Sequence, residues 1–263
     1  MAWGSDMGLS IIVCVKAVPT AVTHLRIAET QDRIDFDAGS LTIDEPDEYA
    51  IQQALVLKQQ FGGEITAVSV GPLYTQIALQ RALARGADKA MRVDASDTAP
   101  EVTSILLTEA IKRLRYDLIL TGMESSDNMA AYIPISLATR LGHPFASGVI
   151  HVEQVEAGGI RVHKELGSGV KEILEMSFPA LLSIQPGIFE LQYISARRLL
   201  EARKRPITTV SQTELGISEE LLAYKSKSKI IHVGPSTERR AKIIEGVPSE
   251  IAAILMRIIN EAS

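Results

Sequence analysis

Cysteine is almost absent from the chain. Its one thiol, Cys14, sits inside the apolar run Leu9 to Val15. A lone cysteine excludes an internal disulfide and is too few for a zinc or iron–sulfur site; it reads as a small buried strand residue in a reducing cytoplasm. No excess of basic residues is present either: 27 Lys and Arg stand against 32 Asp and Glu, a formal charge of −5. Nucleic-acid binders usually carry a basic face, so that class is disfavoured. No apolar stretch approaches the roughly 20 residues of a membrane-spanning helix, so no membrane insertion is expected. The opening Met1 to Gly8 has no charged region and no long apolar core. A signal peptide is not expected there, and the segment is either a frayed start or a non-native addition.

Familiar catalytic signatures are also missing. There is no Gly-x-Gly-x-x-Gly fingerprint and no phosphate-loop lysine, which disfavours a standard dinucleotide dehydrogenase or an NTPase. No nucleophile elbow, Cys/His pair or carboxylate dyad is evident. The histidines His24, His143, His151, His163 and His232 show no metal-ligand spacing, so no metal and no catalytic residue is assigned. Repeats and low-complexity tracts are lacking too.

What remains is a 263-residue chain that is 46% hydrophobic, enough for one large α/β domain with an extension. Short β-rich runs alternate with amphipathic helical ones, the pattern of a parallel sheet covered on both faces. Strands are expected at Ser10–Val15, Ile65–Val70, Ala90–Val93 and Leu118–Leu120. Helices are expected at Asp47–Phe61, Tyr74–Ala84, Val102–Leu114 and Ile133–Leu141, the first with Asp44 and Asp47 supplying capping oxygens. After Gly142 the pattern changes. Val149–Val155 and Ile160–Leu166 flank Ala157-Gly158-Gly159 as a hairpin, followed by strands Val170–Met176 and Ala180–Ile184. A helix Ala196–Lys204, a polar loop-like stretch to about Lys229 and a helix Ser249–Ala262 complete the chain.

In doubly wound sheets, ligands bind beyond the carboxyl ends of the strands, where strand order reverses. Three such ends carry suggestive loops: Val15 to Pro19, Val70-Gly71-Pro72, and Gly122 to Asn128. In the third, a glycine would let a ligand approach the backbone, and polar residues lead into a helix N-terminus that favours phosphate. An ordinary capped loop is the other reading. Glu165 precedes a Gly-Ser-Gly turn and is either a surface strand residue or near a cofactor edge. The run Arg203-Lys204-Arg205, with Arg197 and Arg198, is a solvated helix end or a docking patch for an acidic partner.

Taken together, several segments resemble the β subunits of electron-transfer flavoproteins. They include Val13 to Pro19, Asp44 to Ala54 and Val68 to Pro72. The most specific is Ala82-Leu83-Ala84-Arg85-Gly86-Ala87-Asp88-Lys89-Ala90, followed by Asp117 to Gly122. Glu165 to Gly169, Phe178-Pro179-Ala180, Ala202 to Ile207, Arg240 and Ile243 to Gly246 extend the match over nearly the whole chain.

The resemblance implies an α/β fold: a three-layer, doubly wound, mostly parallel sheet like that of the adenine-nucleotide α-hydrolases, with a β-hairpin extension and a C-terminal arm. Residues 9–206 would form the domain, with a partner-recognition loop near 188–200, and 207–263 a linker and helical arm packing on an α subunit. It implies an electron carrier that is not catalytic alone, with structural AMP in this subunit and FAD held mainly by the α subunit of a heterodimer. Cys14, Asp44, Glu45, Pro46, Asp47 and Val70 would line the AMP pocket. So would Gly122, Met123, Glu124, Ser125, Ser126, Asp127, Asn128, Met129, Ala130, Ala131, Tyr132 and Ile133. Tyr193, Ala196, Arg197, Leu199 and Leu200 would meet partner dehydrogenases, and Glu165 would lie near the flavin. Electrons would enter from flavin-dependent dehydrogenases, such as the acyl-CoA dehydrogenases of fatty acid β-oxidation, and leave to a quinone oxidoreductase.

The chain departs from the family pattern in places. Ala130, Tyr132 and Pro134 stand where many members have Thr, Gln and Gly, so backbone amides would replace side-chain phosphate contacts. A usual Pro-Arg-Tyr reads Leu191-Gln192-Tyr193, and Ala196 holds the place of a leucine anchor worth about 1.5–3 kcal/mol at an interface. A different partner, or anchoring by Leu199 or Leu200, follows. Members that bifurcate electrons hold a second FAD in this subunit and carry an Arg- and Phe-containing stretch where this chain has Asp94 to Thr98, which favours AMP. Two alternatives stay open: that bifurcating, NADH-oxidising complex, and a stand-alone nucleotide-binding module, which would not need the chain beyond Gly142.

Overall fold

The apolar runs become the middle of one nine-stranded sheet. A computed structural model describes residues 8–20, 26–31, 34–37, 40–96, 99–155, 158–218, 233–234 and 243–262. In chain order the strands are β1 (Leu9–Cys14), β2 (Ala17–Pro19), β3 (Arg26–Ile27), β4 (Ile34–Asp35), β5 (Leu41–Ile43), β6 (Gly63–Val70) and β7 (Lys89–Asp94). They continue with β8 (Leu118–Gly122), β9 (Phe145–Val155), β10 (Gly159–Gly167), β11 (Val170–Ser177), β12 (Ala180–Ile184) and β13 (Thr208–Ser211). The helices are α1 (Glu45–Phe61), α2 (Gln76–Arg85), α3 (Pro100–Ile111), α4 (Tyr132–Leu141), α5 (Ala196–Ala202) and α6 (Pro248–Ala262).

The sheet runs β11-β10-β9-β12-β8-β1-β6-β7-β13. From β9 to β13 every pairing is parallel; β10 and β11 add antiparallel strands to the β9 edge. Strands β8 and β12 are buried at every residue, as central parallel strands covered on both faces must be. Leu118 and Leu120 face a core shared with α1 and α2, while Ile119 faces Leu107, Leu137 and Ala138 of α3 and α4. The result is an α/β protein of three layers.

Several local expectations change. Helix α1 starts at Glu45, two residues earlier than the apolar spacing suggested, with Pro46 in its first turn. Pro is pre-set for that position because the missing N–H would have no helical partner. β9 begins at Phe145 because its first half pairs with β12 before the second half turns into the hairpin with β10. The residues 156–157 of the hairpin turn lie outside the described set. Past Pro206 the chain is not loop alone: Thr208–Ser211 pairs with β7 as the last strand, and Leu215 and Ile217 are buried against α3. The β-branched run Thr208-Thr209-Val210 supplies that edge. The rest of the expected polar stretch, 219–232, and Arg240 lie outside the described residues.

Candidate functional site

Strand β1 has β6 on one side and β8 on the other, so the chain reverses its direction of travel across the sheet there. The carboxyl ends of β1 and β8 therefore border a switch-point crevice. Asp47, in the first turn of α1, spans it: Oδ2 accepts from the Lys16 amide at 2.7 Å and Oδ1 from the Gly122 amide at 3.1 Å. Asp44 accepts from the Ser126 amide at 3.0 Å and from its hydroxyl at 2.7 Å. Contrary to the expectation from the sequence, neither carboxylate caps α1; Asp44 occupies the cap position, but its side chain makes no cap bond. Both instead lash the β8–α4 turn to the helix.

That changes the meaning of Gly122. A Cβ there would come within 2.7 Å of both Asp47 Oδ1 and Pro46 Cβ. The glycine makes room for the N-terminus of α1, not for a ligand. Burial, and next the negative charge of Asp44, push the Asp47 carboxyl up to about 8, against the two amides that favour its ionised form. Burial also raises the Cys14 thiol well above its usual range, with Asp47 adding to the effect, so this sulfur is a packed, inert group.

The turn itself is held by its own side chains. Ser125 Oγ donates to Asn128 Oδ1 at 2.6 Å, Asn128 Oδ1 accepts from the Ala130 amide at 3.2 Å, and the Met129 amide donates to the Ser125 carbonyl at 2.8 Å. Residues 126–131 are exposed, whereas Met123, Glu124, Tyr132 and Ile133 are half-buried. Met129 and Ala131 have positive φ, 50° and 48°. With Ala131 before it, α4 opens without a side-chain cap, so the Tyr132 and Ile133 amides have no partner within the helix, while Pro134 in the same turn has no N–H to offer. The Thr121 hydroxyl at the end of β8 is buried and has no hydrogen-bond partner. Val70 and Cys14 end the neighbouring strands, Cys14 turned toward α4 with Ile12, while Glu45 and Pro46 belong to the helix start.

Lys16 lies in the suggestive loop Val15 to Pro19 but is not among the residues expected to line the pocket. Its ammonium crosses to the turn, meeting Ser125 Oγ at 3.3 Å and Asp127 Oδ1 at 2.5 Å. The only available signal was a basic residue directly after a buried central strand. Chemically, the crevice offers exposed amides, a helix start and one ammonium, a donor set suited to an anionic group.

The segment Ile188 to Leu200 lies away from this crevice, against α1 and α2. Tyr193 is 89% exposed and Leu200 58%; Ala196 and Arg197 are exposed as well. Leu199 packs on the core, which leaves Leu200 as the outward leucine of α5. Buried Arg85 pairs with Glu48 at 3.0 Å and donates to the Gln192 carbonyl at 3.2 Å, and Arg198 donates to the Arg85 carbonyl at 3.2 Å. A cleft of about 180 Å³ lies here, lined by Gln52, Leu55, Gln59 and Tyr193 among others. Of the basic run, Arg205 is structural: it donates to the Ala87 and Asp88 carbonyls. Glu165 is exposed, beside an irregularity in the β10–β11 pairing. Every residue from 252 to 261 of α6 is exposed, including Ile254, Leu255 and Ile258.

A doubly wound sheet, a clamped polar turn at its switch point and an exposed apolar helix mark a three-layer α/β protein. The model of the electron transfer flavoprotein domain matches residues 36–215. The chain is 33% identical to the electron transfer flavoprotein subunit beta of Methylophilus methylotrophus, over 96% of its own length and 98% of the relative's. It is 32% identical to the subunit beta of Syntrophomonas wolfei, over 95% of each chain, and 27% identical to that of Clostridium acetobutylicum, over 96% and 98%. The chain belongs to the electron transfer flavoprotein β subunit family. No described helix is long and apolar enough to cross a membrane.

Proposed function

We propose that this β subunit holds one AMP on the β8–α4 turn, completes the surroundings of an FAD carried mainly by its α subunit, and docks flavin-dependent dehydrogenases through Tyr193, Arg197 and Leu200. Electrons pass in the cytoplasm from those dehydrogenases, acyl-CoA dehydrogenases among them, toward a quinone oxidoreductase. The subunit has no reaction of its own to catalyse.

One observation carries the nucleotide assignment: Asp44 and Asp47 clamp an exposed, amide-rich turn at the switch point. The residues present fit a mononucleotide. Ser125, Asp127 and Asn128 are engaged with one another or with Lys16, which leaves the main-chain amides at the start of α4 for a phosphate. Ala130 and Ala131 put little bulk in the way. The exposed apolar α6 supports the assignment of the C-terminal segment as an arm for the α subunit, since a 15-residue helix with that much apolar surface needs covering.

The test is to co-express the chain with its α subunit, denature the purified heterodimer and quantify what is released. One FAD and one AMP per dimer are expected. Two FAD and no AMP would overturn the assignment in favour of a bifurcating flavoprotein.

A further inference from the structure

Lys16 is held in place by the same two residues that clamp the turn. Its amide donates to Asp47 Oδ2 at 2.7 Å, and its carbonyl accepts from the Asp44 amide at 2.9 Å. Its backbone is thus fixed on both sides at the carboxyl end of β1. From that base the side chain reaches over the crevice to the residues preceding α4, with its ammonium on Ser125 Oγ and Asp127 Oδ1. Ser125 sits 2.8 Å from the same Asp127 oxygen, so the three groups form one cluster at the lip of the turn. An ammonium has three N–H donors and this one uses two. The side chain is 42% exposed, which leaves its open side toward solvent.

The charges around it are one-sided. Asp44, Glu124 and Asp127 all belong to this crevice, and Lys16 is the cation that the described contacts bring to it. Amides at a helix start carry only partial positive charge. A phosphate dianion placed on them would face carboxylates on several sides without a full counter-charge. We propose that Lys16 is the phosphate-recognising residue of the nucleotide site: Asp127 and Ser125 hold its ammonium at the turn, and its third N–H bonds a phosphate oxygen. The proposal rests on the nucleotide assignment made above and goes one residue further. It gives the exposed Lys16–Asp127 pair a role that stability does not explain, since surface ion pairs contribute little. Asp127 thereby becomes a positioning residue that acts through Lys16.

The experiment uses the αβ complex depleted of nucleotide, titrated calorimetrically with AMP and, separately, with adenosine. Lys16→Met should weaken AMP binding by about tenfold, as expected for losing one charge-assisted bond, and flatten its salt dependence. Adenosine binding should be unchanged, because adenosine has no phosphate for the ammonium to meet. Lys16→Arg should restore most of the AMP affinity. Asp127→Ala should weaken AMP but add nothing in the Lys16→Met background. Equal losses for AMP and adenosine, or no loss for either, would show that Lys16 merely closes the loop and would overturn the proposal. If the unmodified complex binds neither compound, the nucleotide assignment itself fails, an outcome distinct from failure of Lys16 alone.

Discussion

Asp47 Oδ1 lies 3.1 Å from the amide nitrogen of Gly122, and a Cβ on Gly122 would come within 2.7 Å of that same oxygen. The carboxylate and the missing side chain are one device: helix α1 approaches β8 closely enough to take its amide only because nothing projects from Gly122. Gly122→Ala should therefore push α1 away from β8 and destabilise the fold by about 1–3 kcal/mol, the usual cost of overpacking. Urea denaturation of the heterodimer measures this. An unchanged midpoint would mean that the helix start yields freely.

The same carboxyl makes stability depend on pH. In the fold its pKa is raised to about 8, so the folded protein binds this proton more tightly than the unfolded chain, whose value is about 4. The stabilising contribution is complete below about pH 4 and is lost as pH rises through about 8. Its slope is at most about 1.4 kcal/mol per pH unit for one proton. Asp47→Asn removes this titration but gives up one of the two amide bonds. Unfolding midpoints of the two proteins should thus converge between pH 5 and pH 8. A constant gap across that window would show that Asp47 is ionised throughout.

The sheet was legible because central parallel strands must be apolar on both faces, and Ile11-Ile12-Val13 or Leu118-Ile119-Leu120 admit few other readings. The site was legible only in outline. Asp44 and Asp47 look like caps because a helix cap and a cross-strand bridge use the same residue type; only the register of β1 against β8 separates them. The loop holding Lys16 was visible as a strand end, but nothing local marked its side chain, whose contacts come from a turn more than 100 residues later in the chain. Leu199 and Leu200 are adjacent, and which of them faces out depends on how α5 sits against α2. β13 escaped notice because an edge strand needs only one buried face.

Arg85 ties two distant segments together, so its replacement should loosen one of them. Its guanidinium joins Glu48 of α1 to the Gln192 carbonyl of the segment leading into α5. Arg85→Met leaves Glu48 without its partner in a mostly buried place, a loss of about 3 kcal/mol or more. The double variant Glu48→Gln with Arg85→Met removes that stranded charge and should be less destabilised than the single one. Both should lose amide-exchange protection over 191–195, since neither retains the bond to Gln192. Protection equal to that of the unmodified protein would show that α5 holds the segment without help.

Helix α6 presents Ile254, Leu255 and Ile258 to solvent in the isolated chain, at 36%, 46% and 43% exposure. Burying each would contribute about 1.5–3 kcal/mol in full, and somewhat less from a partly covered start. Three such residues on one helix amount to a substantial share of a stable interface, whereas they add little to the sheet they extend beyond. Replacing Ile254 and Ile258 with Glu should accordingly leave the far-ultraviolet spectrum of the subunit nearly intact. Association with the α subunit should weaken by at least about a hundredfold, as two desolvated anchors are lost and two charges are put in their place. Sedimentation of the co-expressed pair reports this directly: the variant should run as separate subunits at concentrations where the unmodified pair stays together. An intact pair would mean that α6 is covered by something other than the α subunit.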